Sequence, residues 1–262
     1  MKVVLSIAGS DSSAGAGIQA DLKTFEAFSV FGCSVITVLT AQNTTGVKSI
    51  SEVSAKFVKE QLEMVFEDFE VSAIKIGMLF SNEIIDTIRE FIKNLNIPIV
   101  LDPVFISKAG SMLLSSDAIL NMKTLFDYVT ILTPNQFEAK ELFDYEPTNN
   151  ISIEKIKKLK CATIIKNSIE KNKSIDILYS NEEITKFETK YLVSRNTHGT
   201  GCSFSSAIAA NLALGKSLKQ AINISNEFIY EAIKNAPNLG KGKGPIAHKI
   251  GSQKIAHKTC ND

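Results

Sequence analysis

The sequence predicts an α/β domain in which helices cover both faces of a central, mostly parallel β-sheet. Residues 2–8 form a short run that is apolar on both faces, as in a strand buried within a parallel sheet. The small-residue loop 9–17 follows and leads directly into a helical pattern at Ile18, Leu22 and Phe25. Strand, loop and helix in this order are the first half of a βαβ unit.

The rest of the chain continues this alternation of short apolar runs and amphipathic segments. Helices are predicted where apolar residues recur with helical spacing, and strands where β-branched runs end in polar or glycine-containing turns. Strands are predicted at 33–41, 73–76, 98–101, 128–133 and 162–166, a hairpin at 175–179 and 183–189, and helices at 54–69, 82–95, 207–214 and 218–233, the second and fourth helices starting at Ser81 and Ser217.

Length and composition favour a single domain that acts on a small molecule. The 262 residues carry 29 basic and 28 acidic side chains, so the charge gives no reason to expect nucleic acid or a membrane surface as partner. No run approaches the roughly 20 apolar residues of a membrane helix. We expect one domain over 1–250 and a polar, partly disordered tail over 251–262. The four cysteines lack C-x-x-C spacing, so we predict that the chain has neither a zinc site nor disulfides. Free cysteines suit a reducing compartment, and we therefore predict a cytoplasmic location.

The glycine-rich stretch 196–202, Asn-Thr-His-Gly-Thr-Gly-Cys, stands directly before a helix. A glycine turn that opens a helix leaves N–H groups without intrahelical acceptors, so Gly199, Thr200 and Gly201 can bind an anion such as a phosphate. At a helix N-terminus the pKa of the Cys202 thiol is expected to be lowered, which favours a base or a nucleophile. The alternative is a loop that caps a buried helix around an inert cysteine.

Polar groups collect where the predicted strands end, as phosphoryl transfer requires. That reaction needs N–H donors, a cation, groups that hold hydrated Mg²⁺, and a base near the attacking hydroxyl. The first loop does not fit a dinucleotide fingerprint, and the chain has neither a Walker sequence nor the protein-kinase loops. Asn135 and Glu138, three residues apart, are also typical of a plain helix cap. The groups concerned are Asp21, Gln42, Asp102, Asn135, Glu138, Lys166 and the turn 199–202.

Several ordered blocks resemble the hydroxymethylpyrimidine/phosphomethylpyrimidine kinases of thiamine biosynthesis, which belong to the ribokinase-like superfamily. The resemblance extends from Val4 to about His248. It implies a three-layer α/β/α fold with a central mostly parallel sheet, a homodimer, and two successive phosphorylations of 4-amino-5-hydroxymethyl-2-methylpyrimidine by ATP. The blocks are Gly9-Ser10-Asp11 with 16–24, Thr40-Ala41-Gln42-Asn43-Thr44, Lys75-Ile76-Gly77-Met78-Leu79, Leu101-Asp102-Pro103-Val104, Thr133-Pro134-Asn135 with Glu138-Ala139, and 196–202.

The resemblance also implies roles for individual residues. Gln42 would hydrogen-bond the pyrimidine edge, in a pocket shaped by Asp21, Gly9, Met78 and Val104. Cys202 would take the proton of the substrate hydroxyl, and the preceding turn would form the anion hole. The implied catalytic residues are Gly199, Thr200, Gly201 and Cys202. Asp102, Asn135, Glu138 and Lys166 would serve the ATP phosphates, and Asp102 and Glu138 would reach Mg²⁺ through water. The need for a monovalent cation is left open.

Two departures from the family pattern concern the loops. Lys166 is followed by Asn167 and Ser168, where the family usually carries two glycines, and Ala14 replaces a glycine, which matters only if that position needs a positive φ. Three other functions stay open. These are a pyridoxal kinase of the same fold, a pyrimidine-sensing protein without transfer activity, and a cysteine hydrolase that uses His198, although a structural hydrogen-bonding role suits His198 better.

Overall fold

A nine-stranded sheet forms the centre of the computed structural model, counted over residues 1–105, 115–180 and 183–259, the part of the chain that the structure describes. The strands lie in the order β3-β2-β1-β4-β5-β6-β7-β8-β9. They are β1 (Val3–Asp11), β2 (Phe31–Asn43), β3 (Gly46–Glu52), β4 (Val71–Ile76), β5 (Ile99–Leu101), β6 (Ile131–Leu132), β7 (Ala162–Glu170), β8 (Lys173–Ser180) and β9 (Glu183–Lys190).

The sheet is mostly parallel, as predicted. Strands β2, β1, β4, β5, β6 and β7 pair in parallel, whereas β3 joins one side and the β8–β9 hairpin the other in antiparallel fashion. The hairpin predicted over 175–179 and 183–189 is therefore confirmed. Between the parallel strands run the helices α1 (Gly17–Ala27), α2 (Ala55–Asp68), α3 (Asn82–Ile92), α4 (Ser116–Met122), a 3₁₀ turn (Lys123–Tyr128), α5 (Gln136–Phe143) and α6 (Asn150–Lys157), and beyond the hairpin α7 (Thr200–Ala213), α8 (Leu218–Lys234) and α9 (His248–Thr259).

Two hydrophobic clusters, one on each face of the sheet, give the predicted three layers. Successive residues of a strand point to opposite faces, so in β1 Val4 joins one cluster while Leu5 and Ile7 join the other. Helices α2 to α6 pack on the Leu5 face, and α1, α7 and α8 pack on the Val4 face. The three-layer α/β/α prediction is confirmed, and this layering explains why the inner strands are apolar throughout.

The strand order reverses beside β1. The chain leaves β1 through α1 to reach β2 on one side, and later returns to place β4 on the other side. The loops that follow β1 and β4 therefore diverge and leave a crevice at the carboxyl edge of the sheet, where open α/β folds bind ligands.

Serine residues begin three of the predicted helices, as expected. The Ser54 side chain accepts a hydrogen bond from the Phe57 N–H, and Ser217 forms a capping box with Gln220. Ser81 is the N-cap of α3 without a side-chain bond of this kind. These starts were predictable because capping depends on residues only a few positions apart.

The two departures from the family pattern have structural counterparts. Ala14 adopts a φ of 60°, so the condition under which a missing glycine matters is met. Strand β7 continues past Lys166, with a register shift in its pairing with β8 between Ile165 and Ser168. A bulged strand thus stands where the family pattern has two glycines.

The segment after residue 247 holds a helix over much of the length for which a polar tail was expected. Helix α9 extends through Thr259, and a Cβ on Gly251 would lie 2.9 Å from the Phe228 ring of α8, so the two helices are closely packed there. Residues 260–262 lie outside the described part, and the domain limit at 250 stays a prediction. No described helix has the length and apolar character needed to cross a bilayer.

Candidate active site

A cavity of about 590 Å³ opens at the crevice beside β1. It draws residues from all six parallel strands or the loops that follow them, and from the first turn of α7, which is the arrangement that the strand-end pattern predicts. Most of the predicted site residues line it: Gly9, Gln42, Met78, Asp102, Val104, Asn135, Glu138, Lys166, Gly199, Gly201 and Cys202. Asp21 and Thr200 are the two that do not.

Asp21 is fully buried and does not line the pyrimidine pocket that was predicted for it. Its carboxylate accepts hydrogen bonds from Ser6 Oγ at 2.6 Å, Lys75 Nζ at 2.7 Å and Ser206 Oγ at 2.8 Å. Burial alone would lower the pKa of Lys75, but the Asp21 charge raises it above its ordinary value. Lys75, the first residue of the block 75–79 and not a predicted site residue, lines the cavity in place of Asp21.

Thr200 faces a second cavity, of about 250 Å³, between the β8–β9 hairpin and helices α7 and α8. Its hydroxyl donates to the Thr197 carbonyl at 3.0 Å. Lys166 and Gly201 line both cavities, so the two meet at these residues. Sequence reasoning missed most of the second cavity, because residues such as Tyr230 and Asn226 lie within an ordinary amphipathic helix.

The turn before α7 can be built only with glycine at its first position. Gly199 has a φ of 81°, and a Cβ there would lie 1.8 Å from the Gly15 carbonyl oxygen of the first loop. A Cβ on Gly201 would stand 3.7 Å from both Asp102 Oδ2 and Lys166 Nζ. The first turn of α7 therefore presents backbone to the cavity beside a buried cation, which suits an anion.

The pKa of Cys202 is raised rather than lowered, which corrects the sequence-based expectation. Burial raises it to about 11; nearby Lys75 pulls it down, while Asp21 and Asp102 push it up. A backbone hydrogen bond from Gly17 also favours the thiolate, without overcoming the loss of water. At neutral pH Cys202 is therefore a thiol, and a thiolate is present only as a small fraction.

Asp102 and Lys166 form a buried ion pair where the two cavities meet. Lys166 Nζ lies 2.9 Å from Asp102 Oδ1, which also accepts a 2.9 Å bond from Thr133 Oγ1. Burial would raise the pKa of Asp102, but Lys166 and Lys75 hold it below its ordinary range. Burial would likewise lower the pKa of Lys166, and Asp102 raises it. Both groups are thus charged.

Asn135 and Glu138 form the helix cap that was kept as an alternative. The Asn135 side chain accepts from the Glu138 N–H at 3.0 Å, and Glu138 Oε2 accepts from the Asn135 N–H at 2.8 Å. Both residues also line the large cavity. In the described part of the chain no three acidic, His or Cys side chains are grouped as metal ligands. Mg²⁺ in kinases is usually held by one or two carboxylates together with substrate phosphates, and the carboxylates of Asp102 and Glu138 both line this cavity.

Gln42, on the β2 side of the cavity, is held by its backbone. The Ser12 hydroxyl accepts from the Gln42 N–H and donates to the Gln42 carbonyl, each at 2.8 Å. The β2–β3 pairing also shifts register between Ala41 and Gln42. At Gly9 a Cβ would lie 2.7 Å from the Val38 side chain and 3.5 Å from Met78 Sδ, so a glycine is needed beside the Met78 wall.

His198 pairs with a carboxylate of the first loop. Its Nε2 lies 2.7 Å from Asp11 Oδ2, and both side chains are buried. Burial would raise the pKa of Asp11, but hydrogen bonds from His198 and Ser13 lower it to about 2. The structural role expected of His198 is confirmed. Because its Nε2 faces Asp11, the imidazole does not form the base of a Cys202 hydrolase.

A glycine-rich segment, residues 240–244, packs against the turn that follows Gln42. The Lys243 N–H donates to the Thr44 carbonyl at 3.0 Å, and a Cβ on Gly242 would lie 2.0 Å from that oxygen. Lys243 lines the cavity. Sequence reasoning missed it, since the repeated glycines gave no indication of the partner on which they pack.

Fold and site together are those of a ribokinase-like phosphotransferase. The chain belongs to the phosphomethylpyrimidine kinase family, whose model matches residues 11–247. It is 36% identical to the hydroxymethylpyrimidine/phosphomethylpyrimidine kinase of Staphylococcus aureus (strain MSSA476), over 94% of this chain and 93% of that protein.

Two kinds of solved structure are similar to this chain. The ADP complex of Bacillus subtilis pyridoxal kinase is 34% identical with a TM-score of 0.86, covering 95% of this chain and 98% of that one. The phosphomethylpyrimidine kinase of Clostridium difficile 630 is 40% identical with a TM-score of 0.75, covering 89% and 100%. Overall shape therefore does not separate the two substrate classes, and the site must do so.

Proposed function

We propose that the protein transfers phosphate from ATP to the hydroxymethyl group of 4-amino-5-hydroxymethyl-2-methylpyrimidine, and then to the resulting monophosphate. The observation that carries this proposal is that one cavity is lined by the neutral amide of Gln42, by the glycine turn with Cys202, and by the Asp102–Lys166 pair. An amide both donates and accepts, so it can pair with a ring nitrogen and the neighbouring amino group, whereas an ionised carboxylate only accepts.

ATP is assigned to the second cavity, with its phosphates entering the first. Lys166 and Gly201 line both cavities, so a nucleotide in the smaller one would direct its terminal phosphate to the glycine turn. The N–H groups of that turn and the Lys166 charge would stabilise the transferring group. Mg²⁺ would be held through water by Asp102 and Glu138, where it would neutralise phosphate charge.

Cys202 is the proposed base. As the oxygen of the substrate hydroxyl bonds to the γ-phosphorus, the bond from that phosphorus to the bridging oxygen of ADP breaks, and the hydroxyl proton passes to the Cys202 thiolate. In a loose transition state proton removal contributes less than positioning, so a small thiolate fraction is tolerable. The homodimer remains a prediction of the family resemblance, the cytoplasmic location remains a prediction of the cysteine pattern, and the need for a monovalent cation stays open.

Pyridoxal is the second candidate substrate, because a pyridoxal kinase is among the similar structures. The test offers hydroxymethylpyrimidine, its monophosphate and pyridoxal to the purified protein with Mg·ATP, and resolves products by mass. We expect both pyrimidines to be converted and pyridoxal to react poorly. Preference for pyridoxal would assign vitamin B6 salvage, and tight pyrimidine binding without transfer would indicate a sensor.

A substitution at Gln42 tests the pocket itself. Gln42→Leu should weaken pyrimidine binding by about 1–3 kcal/mol, because a buried polar edge of the ligand loses its partner. Gln253→Leu, the same change at an exposed position of α9, serves as the matched control. Calorimetry that finds equal affinities for the two variants would show that Gln42 does not read the pyrimidine.

A further inference from the structure

The side chain of Gln42 lies between two partners whose hydrogen-bonding capacity can be counted. Its Nε2 lies 3.4 Å from His198 Nε2, and its Oε1 lies 3.2 Å from Thr40 Oγ1. All three residues line the large cavity. The two ends of a carboxamide have nearly the same shape, so the hydrogen bonds around it determine which end is oxygen and which is nitrogen.

On the His198 side, the end of the Gln42 carboxamide must be a hydrogen-bond acceptor. His198 Nε2 lies 2.7 Å from a carboxylate oxygen of Asp11, and a carboxylate accepts only, so this ring nitrogen must carry a hydrogen. Asp11 also accepts from the Ser13 hydroxyl and from the backbone N–H groups of Ser13, Gly15 and Ala16, which keeps it ionised. An amide NH₂ facing the His198 N–H would place two donors together.

On the Thr40 side, the Gln42 group must be a hydrogen-bond donor. The Thr40 hydroxyl lies 2.9 Å from the Ser10 carbonyl oxygen, which is an acceptor, and it has one hydrogen to give. That hydrogen cannot also serve an oxygen of Gln42 at 3.2 Å. The lone pairs of the hydroxyl remain available, and an NH₂ group can donate to them.

We infer that Asp11, His198 and Thr40 fix the direction of the Gln42 carboxamide, with its carbonyl oxygen toward His198 and its NH₂ toward Thr40. The NH₂ then donates to a lone pair of Thr40, and the carbonyl oxygen shares the one Nε2 hydrogen of His198 with Asp11, where the reversed amide would set two donors face to face. One N–H and one carbonyl lone pair remain for a ligand. The identity of that ligand rests on the proposed function, whereas the direction of the amide does not. Thr40 and His198 act through Gln42 and are positioning residues.

The direction of the amide decides how an aminopyrimidine lies in the cavity. The ring nitrogen accepts from the Gln42 N–H on the Thr40 side, and the amino group donates to the carbonyl on the His198 side. The hydroxymethyl group is the ring neighbour of that amino group, and His198 directly precedes Gly199 in the chain. This direction brings the hydroxymethyl group toward the glycine turn and Cys202, whereas the reversed amide would hold the ring turned over.

The direct test is nuclear magnetic resonance on the free protein, deuterated and with ¹⁵N-labelled glutamine side chains. The Gln42 signal is identified by its loss in Gln42→Leu. We expect its NH₂ protons to show stronger nuclear Overhauser effects to the Thr40 methyl group than to the His198 ring protons. The reverse order would overturn the inference. This measurement needs no turnover, so it decides the amide direction even if the proposed substrate is wrong.

The kinetic test compares Thr40→Val, which keeps the shape but removes the hydroxyl, with Thr40→Ser, which keeps the hydroxyl. Thr40→Val should lower kcat about three- to tenfold, with the pyrimidine Kd changed less than about twofold, because more ligand binds turned over. Thr40→Ser should restore most of the lost kcat. An unchanged kcat in Thr40→Val, or an equal loss in both variants, would contradict the role of Thr40.

Discussion

Cys202 shows at the scale of one residue why a local rule can give the wrong sign. A helix N-terminus favours a thiolate by roughly 0.3–1 kcal/mol, whereas full burial can shift a pKa by up to about 3–5 units, each worth about 1.4 kcal/mol. The sequence shows the helix start but not the depth of the cavity. Burial decides the outcome here and raises the pKa of Cys202 to about 11.

The raised pKa of Cys202 predicts that turnover increases with pH. If the Cys202 thiolate is the base, its fraction rises tenfold per pH unit up to about pH 11, so kcat at saturating Mg·ATP and pyrimidine should rise about tenfold per unit between pH 7 and 9. Cys202→Ala should lower turnover and show no such rise, with pyrimidine affinity by calorimetry nearly intact. Cys33→Ala, at a buried cysteine outside the cavity, is the control. A pH-independent wild-type kcat, matched by Cys202→Ala, would remove Cys202 from proton transfer.

At the scale of elements, the Asp21 carboxylate joins four of them. It lies on α1 and is bonded to Ser6 of β1, Lys75 of β4 and Ser206 of α7. Sequence reasoning predicted helix starts such as Ser217 because a cap depends on near neighbours. It could not predict the bonds of Asp21 to Lys75 and Ser206, since these partners are 54 and 185 residues away in the sequence.

Breaking this buried pair from one side should be costly. Lys75→Met leaves the Asp21 charge buried without its cation, and we expect the free energy of unfolding to fall by about 3–5 kcal/mol. Urea unfolding followed by circular dichroism measures it. Lys56→Met, in the exposed Lys56–Glu60 pair of α2, should change stability by less than about 0.5 kcal/mol.

A double substitution separates the loss of charge balance from the loss of packing. Asp21→Asn added to Lys75→Met removes both charges, and we expect the double variant to be more stable than Lys75→Met alone by about 1–3 kcal/mol. If the loss in free energy of unfolding of the double variant equals the sum of the losses of the two single variants, the two side chains stabilise the fold independently. The contact between the four elements would then not depend on the ion pair.

At the scale of the whole molecule, the site is assembled from segments spread over most of the chain. The strand-end pattern predicted which loops would meet, because carboxyl ends of parallel strands share one edge of the sheet. It did not predict that His198 would reach Asp11, 187 residues earlier, or that Lys243 would line the cavity. Such pairings depend on the packing of whole layers, which leaves no periodic signal in the sequence.

The closing helix α9 links the stability of the entire domain to pH through His248. This imidazole is buried, its Nε2 lies 2.9 Å from Ser203 Oγ of α7, and burial, with a smaller effect of Lys23, lowers its pKa to about 4. The unfolded chain binds the proton at its ordinary pKa of about 6.5, so between pH 6.5 and 4 the unfolded state takes up more protons than the folded one. Stability must then fall as the pH falls.

We expect the free energy of unfolding to drop by about 2 kcal/mol between pH 7 and pH 5 on account of His248. Urea titrations at the two pH values measure this change, and the window lies well above the pKa of Asp11, about 2, so that carboxylate stays ionised throughout. His248→Gln retains a side chain that can hydrogen-bond Ser203 but does not titrate, so most of the pH dependence should disappear in this variant, whatever its stability at pH 7. An equal drop in the wild type and in His248→Gln would mean that other groups carry the dependence and that α9 does not report the protonation of His248.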